Sequence, residues 1–264
     1  QTAMMHVKPP AVAGFFYPES AQVLRDTVRE FMRDAHSQST ERPRALIAPH
    51  AGYQYSGPIA ASAYATLAPW ADDIRRVVVL APSHRVPFRG IATSSADIFR
   101  TPLGDIAVDR VAVTRLEQLP GVQMLDAAFA EEHALEVQLP FLQGVLPDFT
   151  LVPLIVGDAD SDDVSAVIEA LGSEDTLIVV SSDLSHYHDY RSCQQRDRET
   201  TRRIEGMQAE RIGPYDACGA YPIRGLLKTA QRHGWHVRTL DLRNSGDTAG
   251  DKSRVVGYGA YEFY

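Results

Sequence analysis

Apolar residues recur along the chain at two spacings, one typical of helices and one typical of buried strands. Between residues 20 and 35 the spacing is helical, and it begins just after Ser20, a residue type that caps helix N-termini. Further helices are predicted over residues 58–67, 133–146, 162–171, 189–207 and 222–233, and strands over residues 45–48, 76–81, 151–156, 176–180, 235–240 and 254–263. This alternation predicts a single α/β domain with a central, mostly parallel sheet flanked by helices.

Three stretches fall outside this alternation. Residues 90–126 show no sustained period, so no element is predicted there. Residues 242–252 are rich in Asn, Ser, Gly and Asp, which is typical of turns, and they are predicted to form a mobile surface loop. Residues 1–5 are expected to be a tag remnant or a disordered start, and residues 6–264 are expected to form the domain.

Three of the predicted strands lead into a histidine at or just beyond their carboxyl ends, namely His50, His84 and His186. In open α/β sheets the ligand crevice lies outside the carboxyl ends of parallel strands. If these strands are parallel neighbours, the three imidazoles meet in one cleft. A proline shortly before the first two histidines supports this placement, because proline favours extended backbone and ends a strand. The alternative is that each histidine is an ordinary polar loop residue.

A fourth histidine, His133, lies in the predicted helix that starts at that position. It has no second histidine four residues later, so the segment does not match the helix of a zinc protease. The neighbouring Glu132 and Glu136 are predicted to cap the helix, because acidic side chains complement its amino end. His133 itself is either a residue of the pocket or a polar residue of the helix surface.

The two cysteines differ in their surroundings. Cys218 lies just before a predicted helix, where the helix dipole lowers a thiol pKa and favours a thiolate that can act as nucleophile or metal ligand. The alternative for Cys218 is a small buried apolar residue. Cys193 lies in a polar run and is predicted to be structural. Two cysteines could form one disulfide, but they are too few for a disulfide scaffold in 264 residues.

Composition narrows the classes of function. The chain has 34 acidic and 26 basic side chains and a net charge of −8, which argues against a nucleic-acid or anionic membrane-surface partner. No apolar run is long enough to span a membrane, and the amino end has no secretion-signal pattern. With so few cysteines, we expect a cytoplasmic protein. Phosphate-loop, dinucleotide-fingerprint and serine-elbow motifs are absent, so nucleotide hydrolysis, dinucleotide redox chemistry and serine hydrolysis have no support.

Several motifs together resemble the MEMO protein family, including its bacterial and archaeal members named AmmeMemoRadiSam system protein B. These motifs are Ala11-Val12-Ala13-Gly14-Phe15-Phe16-Tyr17-Pro18, Ala48-Pro49-His50-Ala51-Gly52-Tyr53, Ala81-Pro82-Ser83-His84, Glu132-His133-Ala134-Leu135-Glu136-Val137-Gln138-Leu139-Pro140-Phe141 and Ser181-Ser182-Asp183-Leu184-Ser185-His186. They span nearly the whole chain and stand in the family's order.

The resemblance implies a fold like that of class III, LigB-type extradiol dioxygenases, with a metal ion in a cleft. It implies metal ligands at His50, His84 and Cys218. The dioxygenases of this fold hold iron(II) with two histidines and a carboxylate, whereas a thiol takes the third position here. Two imidazoles and a thiolate form a softer donor set, so we expect iron(II) or copper, with zinc as a further possibility.

The resemblance also implies that Asp183 and His186 line the same pocket, and His133 lies on a family motif. We expect His133 and His186 to act as acid and base, and Asp183 to orient a ligand. The expected function is that of a nonheme metal-dependent oxidoreductase, similar to a dioxygenase, acting on an unidentified small molecule. The alternative is a metal-handling or peptide-binding adaptor that works with AMMECR1-type and radical SAM partner proteins.

Overall fold

The structure is a computed structural model that describes residues 4–35 and 40–264. The described residues form twelve strands and eight α-helices, with short 3₁₀ turns between some of them. The strands are β1 (Val7–Lys8), β2 (Ala45–Ala48), β3 (Arg76–Pro82), β4 (Ile91–Thr93), β5 (Ile98–Thr101), β6 (Gly104–Ala107), β7 (Val122–Met124), β8 (Thr150–Val156), β9 (Thr176–Ser181), β10 (His186–His188), β11 (Val237–Asn244) and β12 (Val255–Phe263). The helices are α1 (Ala21–Asp34), α2 (Tyr53–Tyr64), α3 (Arg110–Leu116), α4 (His133–Glu136), α5 (Leu139–Val145), α6 (Ser161–Ala170), α7 (Tyr190–Glu205) and α8 (Ala220–His233). Residues 1–3 of the expected tag remnant lie outside the described residues.

The large sheet has the strand order β10-β12-β2-β9-β3-β8-β4-β7, and β11 also pairs with β12. Its four central strands, β2, β9, β3 and β8, are all parallel. They are apolar and buried along nearly their whole length, as strands covered by helices are. The predicted α/β architecture is confirmed, with helices such as α2 and α8 packed on the sheet.

The sheet is mixed rather than mostly parallel outside its centre. Strand β12 runs antiparallel to β2, and β4 runs antiparallel to β8. Strand β11 also pairs antiparallel with β12, because the connection between them contains no crossover helix that would return the chain in the same direction. Strands β4 and β7 pair in parallel with each other. The expectation of a mostly parallel sheet therefore holds for the four central strands and for this pair, and the remaining pairings of this sheet are antiparallel.

The order of the central strands places the predicted site. Although β2 and β3 follow one another among the central strands in sequence, β9 lies between them and pairs parallel with both. Ala48 at the end of β2 pairs with Ser181 at the end of β9, and Leu80 near the end of β3 pairs with Val180. The strands that lead to the three histidines are thus direct neighbours, which is the condition set by the sequence argument for one shared cleft.

Two helix predictions have the wrong bounds. Helix α2 begins at Tyr53, ahead of the predicted start, and contains Pro58 within it. The segment 133–146 forms two short helices, α4 and α5, instead of one. The break falls at Gln138, whose side-chain amide donates to the carbonyl oxygen of Pro49, and Pro140 then begins a new turn. Tertiary hydrogen bonding decides this break, and the apolar spacing does not reveal it.

The predictions for the irregular stretches were also incomplete. Residues 90–126 contain strands β4 to β7 and helix α3, and β5 and β6 join β1 in a separate three-stranded sheet. These strands of three or four residues are too short to show a period. The predicted surface loop over residues 242–252 is wrong at its start, because residues 242–244 belong to β11 and Asn244 and Ser245 are buried. Asn244 and Asp247 then cap a 3₁₀ turn reciprocally. No helix within the described residues has the length and apolarity needed to cross a bilayer.

A glycine on α8 permits its close packing on α6. A Cβ atom built on Gly225 would lie 2.2 Å from Cγ1 of Val164. We expect Gly225→Ala to lower the free energy of unfolding by about 1–3 kcal/mol through overpacking, although alanine favours a helix by about 1 kcal/mol. Urea denaturation measures this change. As the control, Gly213→Ala should be nearly neutral, since its Cβ would meet no atom closer than 3.5 Å. Equal unfolding midpoints for the two variants would contradict the packing argument.

Candidate metal centre

The cleft at the carboxyl ends of β2, β9 and β3 brings together side chains from distant parts of the sequence. The ring centroids of His50 and His84 are 5.1 Å apart, and the ring centroid of His133 lies 5.3 Å from that of His50 and 4.8 Å from that of His84. The Cys218 sulfur lies 3.2 Å from Nε2 of His50. Asp183, His186 and Cys218 form an overlapping group whose potential ligand atoms lie within 4.8 Å of one another. All six predicted site residues therefore line one cleft.

The His50 imidazole is fully buried and its tautomer follows from its neighbours. Its Nδ1 lies 2.8 Å from the Ser181 hydroxyl oxygen. That hydroxyl donates its one proton to the carbonyl oxygen of Ala134 and accepts a hydrogen bond from the Gln138 amide. Nδ1 of His50 must therefore be the donor to Ser181, and Nε2 keeps a lone pair directed toward Cys218. Burial, followed by the neighbouring imidazoles of His84 and His133, lowers the pKa of His50 well below its usual value, so the ring is neutral.

The His84 ring is held by Glu132 from the start of α4. Nδ1 of His84 lies 2.9 Å from Oε2 of Glu132, and the backbone amide of His84 donates to Oε1. Burial alone would lower the pKa of His84, but the carboxylate outweighs burial and the pKa is raised. Burial likewise opposes ionisation of Glu132, but hydrogen bonds from His84 prevail and its pKa falls to about 2. Because the Glu132 carboxylate is hydrogen-bonded to Nδ1, Nε2 of His84 is left to bind a metal ion. Metal-bound histidines usually have this arrangement.

Cys218 reaches the cleft because the chain passes very close to β9. A Cβ on the next residue, Gly219, would lie 2.6 Å from Cβ of Ser182, so only glycine fits this crossing. The backbone amide of Asp183 donates to the Cys218 sulfur over 3.4 Å. The expectation of a lowered thiol pKa is wrong for Cys218. Burial, followed by the nearby Asp183 carboxylate, raises the pKa of Cys218 and outweighs the influence of the helix that begins at Ala220.

Asp183 lies against His50 on the inner side of the cleft. Its Oδ1 accepts the backbone amide of His50 at 2.9 Å, and its Oδ2 lies 3.6 Å from Nε2 of the same residue. The side chain is buried, and burial raises the pKa of this carboxyl. A carboxylate thus stands beside the thiol, so the cleft offers both kinds of third ligand to a metal held by two histidines.

His133 and His186 are half-buried members of the cleft. The His133 ring stacks on Phe16 at a centroid distance of 4.4 Å, and burial followed by the His84 charge lowers its pKa. Burial also lowers the pKa of His186. A bulge in β10 follows His186, where Tyr187 adopts a φ of +65° that side-chain-bearing residues rarely take. Bulges of this kind redirect side chains next to functional sites.

Sequence reasoning missed the residues that hold the histidines in place. Ser181 and Gln138 lie on motifs quoted above, but no spacing shows that they meet at His50. Glu132 does cap α4, as expected, and it also binds His84. Glu136 is no cap. It is buried and accepts hydrogen bonds from the backbone amides of Ala11 and Val12 and from the Tyr17 hydroxyl, which anchors the segment that carries Phe16.

The cysteines do not pair with each other. Both are free, and Cys193 is fully buried with its sulfur 3.1 Å from Oδ2 of Asp197. Burial raises the pKa of Cys193 to about 12, so it stays a thiol, consistent with the structural role predicted for it.

The residues of the cleft fit a metal ion. Potential ligand atoms of His50, His84 and Cys218 lie within 4.8 Å of one another, and both histidines have Nδ1 engaged elsewhere. Imidazole nitrogen and thiolate sulfur suit zinc, copper or iron. Together, the fold and this donor set define an α/β protein with a candidate metal centre of two histidines and a cysteine.

The chain belongs to the Memo family. The sequence profile described as "Memo-like protein" matches residues 8–262. A MEMO1 family protein of Methanopyrus kandleri is 34% identical over 97% of this chain and 98% of its own length. A MEMO1 family protein of Aquifex aeolicus is 32% identical over 96% of this chain and 98% of its own length. The resemblance drawn from the motifs is therefore confirmed.

A solved structure supports the fold separately from these relatives. An uncharacterized protein of Escherichia coli K12 aligns with a TM-score of 0.56, covering 82% of this chain and 99% of its own. The two sequences are 13% identical, so the similarity concerns the fold alone.

Glu132 should contribute to metal binding through His84. We expect Glu132→Gln to weaken zinc binding by about 10–100-fold. The neutral side-chain amide of glutamine would hold the His84 ring less firmly than the carboxylate does, and it would make Nε2 of His84 a weaker metal ligand. Competition with a chromophoric chelator measures the affinity. The neighbouring Glu131→Gln is the matched control, because Glu131 is exposed and contacts Arg85 at the surface. Equal affinities for wild type and Glu132→Gln would contradict the positioning role.

Proposed function

We propose that this Memo family protein is a nonheme metal-dependent oxidoreductase, similar to a dioxygenase, that acts on a small molecule. The proposal rests on one observation above the others. His50 and His84 each present Nε2 to a shared cleft, and the Cys218 sulfur lies beside the first of them. These three side chains would hold the metal and leave its remaining positions open for other ligands.

Iron(II) or copper suits the proposed role best, and zinc would also fit the donors. When bound, such an ion supplies Lewis acidity and, in the case of iron or copper, one-electron redox chemistry. The thiol of Cys218 has to lose its proton to become a ligand, because the thiolate is the form that binds metal. The Asp183 backbone amide, which already donates to this sulfur, would stabilise the negative charge.

His133 and His186 are the proposed acid and base. Their lowered pKa values keep both imidazoles neutral at pH 7, so each can first accept a proton from a bound molecule as a base and then return it as an acid. The Phe16 ring covers one side of His133 and limits the access of water there. Asp183 would orient His50 and bound molecules through its buried carboxylate.

A metal-handling role without turnover is the second candidate. The observation that favours it is the excess of donors, since three overlapping groups of potential ligands share His84 and Cys218 between them. Overlapping donor groups would let an ion pass from one set to another. The adaptor role and the AMMECR1-type and radical SAM partners are proposed only from the family resemblance.

Metal content tests the site directly. We expect wild-type protein exposed anaerobically to iron(II), copper(I) or zinc to retain close to one ion per chain, and His84→Ala and Cys218→Ala to retain little. Elemental mass spectrometry measures the bound metal. His236→Ala is the control, because His236 is exposed and stacks on Tyr264 away from the cleft. Undiminished metal in His84→Ala would overturn the proposed ligand set.

Oxygen uptake separates the two candidate roles. With iron- or copper-loaded protein and a panel of phenolic and catecholic compounds, an oxidoreductase should consume oxygen. We expect this uptake to fall at least tenfold in His186→Gln, because the base is lost while metal content is retained. Loaded protein that passes its metal to an acceptor chelator and consumes no oxygen with any compound would instead favour metal handling.

A further inference from the structure

A second cavity lies at the end of the sheet opposite the histidine cleft. It has a volume of about 630 Å³ and is bordered by Arg44, just before β2, and Thr176, the first residue of β9. The carboxyl ends of α6 and α8 close its other side with Glu169 and His233. The volume falls within the range of about 300–1,000 Å³ that is typical of small-molecule sites. Nothing in the proposed metal chemistry uses this cavity.

The floor and one wall of the cavity are apolar. Ile168 and Ile178 are 1% and 3% exposed, and they border the cavity from α6 and β9. The indole of Trp235, which precedes β11, is half-buried and forms the wall. Such a surface binds the apolar body of a ligand because binding removes both surfaces from water.

Arg44 borders this cavity as an exposed cation that lies over the ring of Trp235. Its guanidinium carbon lies 5.8 Å from the centre of the Trp235 ring. Among residues 4–35 and 40–264 its guanidinium has no carboxylate and no hydrogen-bond acceptor, and the Trp235 indole nitrogen likewise has no acceptor there. A ligand in the cavity could therefore accept hydrogen bonds from the Arg44 guanidinium.

The other charges at the cavity do not supply that acceptor. Glu169 is already bound by Arg232 at 2.7 Å and by His233 at 2.9 Å. Glu174 stands at the exposed rim, and Arg44 is exposed as well, so water and salt screen both charges. The charge that lies over the Trp235 ring of the apolar wall is thus the Arg44 cation, and an anionic ligand would complement it.

We propose that this cavity binds a small carboxylic acid with an aromatic or aliphatic body. The carboxylate would accept hydrogen bonds from Arg44, whose planar guanidinium matches carboxylate geometry. The body would lie along Ile168, Ile178 and Trp235. This inference depends on the fold and on these residues, and it stands independently of the function proposed for the metal centre.

Fluorine NMR of protein labelled with fluorotryptophan tests the proposal. The chain has two tryptophans, Trp70 and Trp235, so each gives its own resonance, and Trp235→Phe assigns them. Phenylbutyrate is the probe, and its uncharged amide, phenylbutyramide, is the matched ligand control. We expect phenylbutyrate to shift the Trp235 resonance in a saturable way, with the Trp70 resonance unchanged, and to bind at least tenfold more tightly than the amide.

Three variants complete the test. Arg44→Gln should weaken phenylbutyrate binding at least tenfold and leave the amide unaffected, whereas Arg44→Lys should retain part of the preference for the acid. Arg75→Gln is the control, since Arg75 is exposed and pairs with Asp148 outside the cavity. Native dispersion of the two resonances verifies folding of each variant. Absence of a Trp235 shift at millimolar acid, equal affinities for acid and amide, or an unchanged affinity in Arg44→Gln would each overturn the proposal.

Discussion

The parallel pairing of β9 with both β2 and β3 is the constraint on which the cleft depends. Because Ser181 ends β9 directly opposite Ala48, its hydroxyl reaches the ring of His50 two residues beyond β2. The same pairing brings the Asp183 carboxylate to the His50 amide. The close crossing at Gly219 then sets the Cys218 sulfur against this pair. A β9 placed elsewhere in the sheet would leave His50 without any of these partners.

Electrostatics divides the cleft into two halves. On the β2 side, burial keeps His50 neutral and a neutral hydroxyl fixes its ring. On the β3 side, the charged Glu132 carboxylate holds His84 and raises its pKa. Both arrangements engage Nδ1 and leave Nε2 facing the cleft, but one histidine is paired with a neutral partner and the other with an anion. A cation bound between them would therefore find unequal donors, with His84 the more basic of the two.

The two ends of the central strands differ in chemistry although one buried sheet connects them. At the carboxyl ends, histidine, cysteine and carboxylate side chains meet and satisfy one another. At the amino ends, helix termini and Trp235 enclose apolar surface beside the exposed Arg44. Four buried parallel strands form a rigid layer, so the loops and helix ends at each edge can carry separate sites without disturbing the other.

The sequence by itself determined the α/β class, the main strands and the six residues that line the cleft, because buried strands and family motifs are local features. It did not show the strand order, the mixed margins of the sheet or the break between α4 and α5. Nor did it reveal Ser181 as a partner of His50, or the role of Glu136 in anchoring the amino-terminal segment. These depend on contacts between residues far apart in the chain, and only the tertiary structure decides them. The thiol pKa of Cys218 shows the reason most clearly, since a nearby helix end lowers such a pKa while burial raises it, and burial is a property of the whole fold.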